Sequence, residues 1–405
     1  MSKTEALEAY YGLPNEVRFC QSCVISNQRP SSTVEFKHEK EEKKKTIGFA
    51  ADGICDACHY HQEKAHRIDW KKREDQLVAT LDKFRRNDGS YDMIVPGSGG
   101  KDSAYTSHIL KYRYGMNPLT VTWAPHLYTD IGWQNFTNWM HEGGHDNILF
   151  TPNGRLHRLL TRLAFKNLLH PFQPFIVGQR IIGPAMAQKY GVQLVMYGEN
   201  QAEYGNDPNE NFKPTMDTKF FSAQDPMQMR LGGEKVADII RDHDYTLNDF
   251  APYIPPTAES LEKAGVEVHY LGFYLPWDPQ ECYYYAVENT GFQANPERTP
   301  GTYSKYSSID DKIDMFHYFT TLIKFGIGRA TYDAAQEVRN EKITREEAVH
   351  LVHKYDQEFP QRYYADFLDY IGMSDAEFWE TVDHFRSPHL WKRTDKGWAL
   401  RHIVK

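Results

Sequence analysis

The sequence predicts an α/β protein built on a doubly wound parallel sheet. Three observations carry that prediction: short apolar runs alternate with helix-period segments between residues 91 and 197, a glycine-rich turn joins the first run to its helix, and two C-x-x-C pairs precede them. A chain of 405 residues can bury one such core with appended elements.

The N-terminal region, 1–65, holds Cys20-x-x-Cys23 and Cys55-x-x-Cys58. In a reducing compartment, two such knuckles read as a four-thiolate zinc module rather than as disulfides. His59 and His61 lie beside the second knuckle, but four thiolates suffice. The charged run Lys37–Lys45 is expected to form a solvated hairpin tip. Residues 63–88 predict a charged helix with Trp70, Leu77, Leu81 and Phe84 on one face.

Within the core, 66–205, the predicted order is strand Met93–Val95, helix Asp102–Tyr114, strand Leu119–Trp123, helix Trp133–Glu142 and strand Ile148–Phe150. Helices within Leu156–Leu169 and Val177–Tyr190 and strand Gln193–Tyr197 follow. Sheets of this kind bind ligands beyond the carboxyl ends of their strands, here the loops Pro96–Lys101, Ala124–Asp130, Thr151–Gly154 and Gly198–Gly205. Trp123, Glu199 and Asn200 are therefore assigned to a nucleotide, and Gln179, Arg180 and Tyr204 to a substrate. Residues 206–300 are rich in Asn, Asp, Pro and Gly and are expected to form an insertion or substrate lid and to complete the core. Residues 301–405 read as helices to about Phe385, with capping boxes at Thr344–Glu347 and Ser374–Glu377.

The segment Tyr91–Ser103, YDMIVPGSGGKDS, sets a buried strand before a turn of small residues and a helix start. Backbone N–H groups exposed there form a phosphate cradle. It is not a Walker loop: Val95 stands five residues before Gly100, and Asp102 follows Lys101. Nor does Gly97-Ser98-Gly99-Gly100 fit a nucleophile elbow. His141-Glu142-Gly143-Gly144-His145 matches H-E-x-x-H literally, but two glycines mark a helix end there, not a metalloprotease helix. Lys305, Asp310, Asp311 and Lys312 form a polar cluster after a glycine turn, of a kind that suits magnesium and phosphate.

The net charge of −8 gives no footprint for a nucleic-acid partner. No apolar run is long enough to span a bilayer, and the N-terminus lacks the apolar core of a signal peptide, so a cytoplasmic protein without a membrane partner is expected. Cys282 has no glycine elbow and is expected to be a packed thiol.

Ser98–Ser103 resembles, without substitution, the Ser-Gly-Gly-x-Asp-Ser signature of the PP-loop ATP pyrophosphatases, of the adenine nucleotide alpha hydrolase-like fold. More widely, the chain resembles the N-acetyl sugar amidotransferases of the WbpG and PseA type. The motifs are the paired knuckles, Ile68-Asp69-Trp70, Val95–Ser103, His170–Gln179, Gly301–Asp311, Lys324–Arg329 and Ile343–Glu347. That resemblance implies an ATP-dependent, AMP-forming ligase that turns a sugar acetamido group into an acetamidino group in surface-polysaccharide, O-antigen or flagellin glycan synthesis. It implies that Ser98, Gly99, Gly100 and Ser103 hold pyrophosphate, that Lys101 balances its charge, and that Asp102 positions Mg2+. From the polar cluster, which could also be a surface salt-bridge group, Lys305 and Asp311 are added to the catalytic set. Because the chain offers no glutaminase nucleophile, ammonia is expected from a separate HisH-like glutamine amidotransferase subunit. A PP-loop tRNA thiolase and a zinc-ribbon binding module on an inactive nucleotide fold are the competing readings.

Overall fold

The computed structural model describes residues 7–39, 42–206 and 212–405. Its centre is a five-stranded sheet made of β1 (Met93–Pro96), β2 (Pro118–Trp123), β3 (Asp146–Phe150), β4 (Leu194–Tyr197) and β5 (Glu267–Tyr270). The spatial order is β3-β2-β1-β4-β5 and every pairing is parallel. Met93, Ile94 and Val95 are fully buried, as a central strand covered on both faces requires. The fifth strand lies beyond the core span drawn from sequence, inside the stretch expected to complete the core.

Helices supply the crossovers. They are α3 (Lys101–Tyr112), α4 (Asp130–His141), α5 (Gly154–Leu168) and α6 (Gln173–Tyr190), while α1 (Asp56–His66) and α2 (Trp70–Phe84) precede the first strand. Right-handed connections put α3 and α4 on one face and α5 and α6 on the other. The chain order reverses between β1 and β4, so the loops after these two strands form the crevice of the sheet.

Local chemistry fixes the element ends. Thr129 caps α4 by accepting from the Gly132 N–H at 3.0 Å, and Asn153 caps α5 through the Arg155 N–H. Both predicted capping boxes close, Thr344 with Glu347 and Ser374 with Glu377. The C-terminal part contains helices Asp314–Phe325, Arg329–Arg339, Arg345–Tyr355, Tyr364–Ile371 and Asp375–His384. It ends in an antiparallel hairpin, Trp391–Thr394 with Gly397–Leu400, which helical periodicity did not announce.

The run Lys37–Lys45 is solvated only in part: Lys37, Lys43 and Lys45 are exposed, His38 and Lys44 are buried at 5% and 8% exposure, and residues 40 and 41, where a tip would fall, lie outside the described residues. Lys44 turns inward, pairing with Glu42 at 2.8 Å and reaching His38 at the same distance. Its charge is answered inside the protein instead of by water. Among the described residues, no helix is long and apolar enough to cross a membrane.

Candidate active site

The glycine-rich turn sits at the carboxyl end of β1 and opens α3, where the Gly97 N–H is anchored to the Val121 carbonyl at 3.0 Å. Gly99 has φ +82°, and a Cβ there would stand 2.7 Å from the Phe136 Cα, so the turn can press against α4 only without a side chain. Gly100 is the N-cap residue of α3, and its carbonyl accepts from the Ala104 N–H and the Ser103 hydroxyl, each at 3.0 Å. The free amides at this helix start make an anion cradle at the reversal point of the sheet.

Two cavities meet at this turn. The first, about 420 Å³, runs over the strand ends and is bounded by Ser98, Gly100 and Ser103 together with Val121, Trp123, Met216 and Tyr270. Its mixture of polar turn and apolar wall suits a nucleotide. Trp123 is buried, and Gly178 of α6 lies so close that a Cβ would stand 2.2 Å from the indole Cε2. The second cavity, about 540 Å³, lies between the turn and the C-terminal helices. Asp102, Glu199, Asp278, Asp310, Asp314, Asp333 and Glu337 line it, against Lys101, Arg329 and Lys342. Ser98, Gly100, Asp102, Gln179, Glu199 and Tyr204 border both spaces.

The electrostatics of this junction are set by burial. Lys101 reaches Asp102 at 2.5 Å; burial opposes its charge, but the adjacent carboxylate prevails and holds its pKa above the usual lysine value. The other Asp102 oxygen, Oδ1, is buried without a hydrogen-bond partner. Burial pushes Glu199 up to about 7, with Asp102 adding to the rise and the Tyr204 hydroxyl, which donates to Glu199, opposing it. Burial raises Asp310, and Asp311 beside it adds to the shift, while Ser98 bonds the Asp310 side chain. Asp314 is pushed up to about 7, again by burial first, with Arg329 pulling the other way. These half-buried carboxyl groups line one cavity without converging on a single point, and the orphaned Asp102 Oδ1 stands at the turn itself.

The turn residues Ser98, Gly99, Gly100, Lys101, Asp102 and Ser103, together with Trp123, Gln179, Glu199 and Tyr204, stand on the cavity walls. Arg180 lines the smaller cavity but its Nη1 donates to the Thr33 carbonyl at 2.9 Å. Asn200 is buried and caps the turn Gln201–Tyr204 by accepting from the Ala202 N–H. Lys305 lies outside the cavity lining, with its Nζ on the Pro296 carbonyl at 2.9 Å. Asp311 borders the larger cavity, yet its carboxylate accepts from the His126 N–H and Nδ1, both at 2.7 Å, and from the Leu127 and Ile313 N–H groups. Asp311 thus fixes the loop after β2 to the C-terminal segment. Its neighbour Asp310 faces the turn, because Gly132 leaves room for the backbone: a Cβ there would stand 2.5 Å from the Asp310 Cα.

Sequence reasoning missed Asp314, Asp333, Glu337 and Arg329 as cavity residues. Arg329 pairs with Asp333 at 3.0 Å and lies over the Tyr318 ring. Their only sequence signal is helical spacing that puts Arg329, Asp333 and Glu337 on one face. The literal H-E-x-x-H ends as expected: His141 closes α4, Gly144 turns with φ +67°, and His145 is buried against the Ser107 hydroxyl at 3.1 Å. Cys282 is 2% exposed, and burial raises its thiol pKa well above the usual value.

The four knuckle sulfurs converge. Cys20 and Cys58 Sγ are 3.9 Å apart, Cys23 and Cys55 Sγ 3.8 Å, and all four lie within 4.8 Å of one another. Tetrahedral zinc with bonds of about 2.3 Å needs sulfurs about 3.8 Å apart, so the set fits a closed structural zinc site. The Ser22, Cys23 and Cys55 N–H groups point at Cys20 Sγ within 3.3–3.4 Å, which favours the thiolate.

Fold and turn define an α/β protein with a crevice at the reversal of a parallel sheet. Residues 300–405 match the family model described as "LPS biosynthesis protein WbpG-like, C-terminal domain". Among solved structures, NMN synthetase from Francisella tularensis aligns with 14% identity over 74% of this chain and 96% of its own, at a TM-score of 0.29. No curated protein sequence matches the chain.

Proposed function

We propose that this protein is an ATP-dependent, AMP-forming amidotransferase that converts a sugar acetamido group to an acetamidino group in surface-glycan synthesis. The observation that carries the reading is the position of the Ser98–Ser103 turn between a nucleotide-sized cavity and a second one walled by the WbpG-like domain. ATP in the first cavity would direct its α-phosphorus toward an acceptor in the second.

The acetamido oxygen attacks the α-phosphorus; the new O–P bond forms as the bond to the β-phosphate oxygen breaks, and pyrophosphate leaves with that electron pair. Ammonia then attacks the imidate carbon, the C–O bond breaks, AMP departs, and one nitrogen proton is lost. Ser98, Gly99, Gly100 and Ser103 cradle the departing pyrophosphate, and Lys101 neutralises its charge. Asp102, with Glu199 and Asp310 on the walls of the same cavity, would hold magnesium, which supplies charge neutralisation on the phosphates. The acidic second cavity favours an acceptor whose recognised part is uncharged, as an N-acetyl sugar ring is. Ammonia is supplied by a HisH-like glutaminase, since Cys282 is buried and held as a thiol.

The test incubates the protein with ATP, Mg2+, ammonium and a panel of N-acetyl sugars and nucleotide sugars while following AMP, pyrophosphate and sugar mass. Sugar-dependent AMP with oxygen replaced by NH is the expected result; ADP and phosphate would overturn the mechanism.

A further inference from the structure

Away from the turn, a second set of ligand-type atoms converges where the N-terminal module meets the start of α6. His38 Nδ1 lies 3.6 Å from Glu35 Oε2, and His170 Nε2 lies 3.4 Å from the same oxygen. All three atoms are within 4.8 Å of one another. Glu35 and His38 are 8% and 5% exposed, and neither Glu35 Oε2 nor His38 Nδ1 has a hydrogen-bond partner. A buried carboxylate oxygen and a buried imidazole nitrogen that face each other without bonding are costly unless something sits between them.

The spacing says what fits. Metal bonds to imidazole nitrogen and carboxylate oxygen of about 2.0–2.1 Å in a tetrahedral site place the ligand atoms about 3.4 Å apart. Two nitrogens and one oxygen suit a first-row transition dication, not magnesium or calcium. The set borders a cavity of about 230 Å³, which leaves room for a fourth, exchangeable position. The ligands are held from behind: Gln173 Nε2 donates to the Glu35 carbonyl at 2.8 Å, and His317 stacks on His170 at 5.0 Å.

We propose that Glu35, His38 and His170 form a second metal site, distinct from the cysteine cluster, that takes zinc or a similar first-row dication with one position open. Lys44 is its competitor. Its Nζ sits 2.8 Å from His38 Nε2 and 2.8 Å from Glu42. A metal on Nδ1 places the ring proton on Nε2, so Lys44 must release His38 and keep Glu42.

The test titrates full-length protein, with zinc in its cysteine cluster, with Co2+ and follows visible absorption and bound metal after gel filtration. One equivalent of cobalt beside the zinc, without thiolate charge-transfer bands, is expected. Glu35→Gln and His170→Phe should each weaken its binding on the order of 100-fold, the upper range for second-shell losses and a floor for a lost ligand, while cysteine-bound zinc stays. Lys44→Met should tighten it. No cobalt retained beside the zinc at saturation, or cobalt binding indifferent to Glu35→Gln and His170→Phe, overturns the assignment; the wild-type titration decides even where a variant fails to fold.

Discussion

Lys64 Nζ lies 2.8 Å from Glu203 Oε1, with both side chains buried, and this pair joins the zinc module to the loop that carries Glu199 and Tyr204. Breaking one side of a buried pair strands the other charge. Lys64→Met is therefore expected to cost about 3–5 kcal/mol in denaturant unfolding, whereas the Lys64→Met, Glu203→Leu double variant should recover much of that loss. Additive losses in the double-mutant cycle would show that the two groups do not interact.

Gly99→Ala tests the cradle. Its φ of +82° and the 2.7 Å approach to the Phe136 backbone leave no room for a methyl group. AMP formation should fall on the order of 100-fold, the cost of losing one preorganised backbone donor. Unchanged turnover would remove the turn from the chemistry.

Asp102→Asn keeps the size of the side chain but removes the charge beside Lys101 and the anionic orphan oxygen. Product formation should drop at least about 100-fold and its magnesium dependence should shift to higher concentration. Wild-type magnesium dependence in this variant would refute a metal-positioning role.

The pH dependence has a definite sign. Burial, partly countered by Arg329, raises the folded pKa of Asp314 from the ordinary carboxylate value of 3.8 to about 7. The unfolded chain releases this proton near the lower value. The stability it contributes is fully present below that value and is lost as pH rises through about 7. Unfolding across pH 4–8 should show Asp314→Asn gaining on wild type as pH rises, by on the order of 4 kcal/mol at the limit. Parallel profiles would mean that the carboxyl ionises freely.

Cys55→Ser should lose the cluster zinc and most soluble protein, because structural zinc supplies folding free energy directly. Full metal content in that variant, measured on the purified protein, would contradict a four-thiolate site.

Much of this architecture was legible because its signals are local. The apolar runs of β1, β2 and β4 and the capping boxes at Thr344 and Ser374 depend on neighbours a few residues away. So does the turn at Ser98–Ser103, since its small residues are needed by the turn itself. What escaped depends on contacts distant in sequence. Asp310 and Asp311 are adjacent and alike in composition, yet one faces the turn and the other is consumed by the His126 and Leu127 amides. Only the packing of Gly132 against residue 310 decides which. Lys305 had the right chemistry for a phosphate but is held by the Pro296 carbonyl. The inward turn at His38 and Lys44 was hidden for the same reason, since a charged run gives no sign of finding its partners within itself.

The knuckles are gripped from the far end of the chain: Arg345 donates to the Cys20 and Cys23 carbonyls, the Tyr11 hydroxyl bonds the Phe385 carbonyl, and His389 meets the Gln28 side chain at 3.0 Å. During synthesis Cys20 and Cys23 leave the ribosome more than three hundred residues before Arg345. The module can gather its four sulfurs early, yet it stays undocked until the segment carrying Arg345, Phe385 and His389 has followed, so docking lags far behind the folding of the module itself.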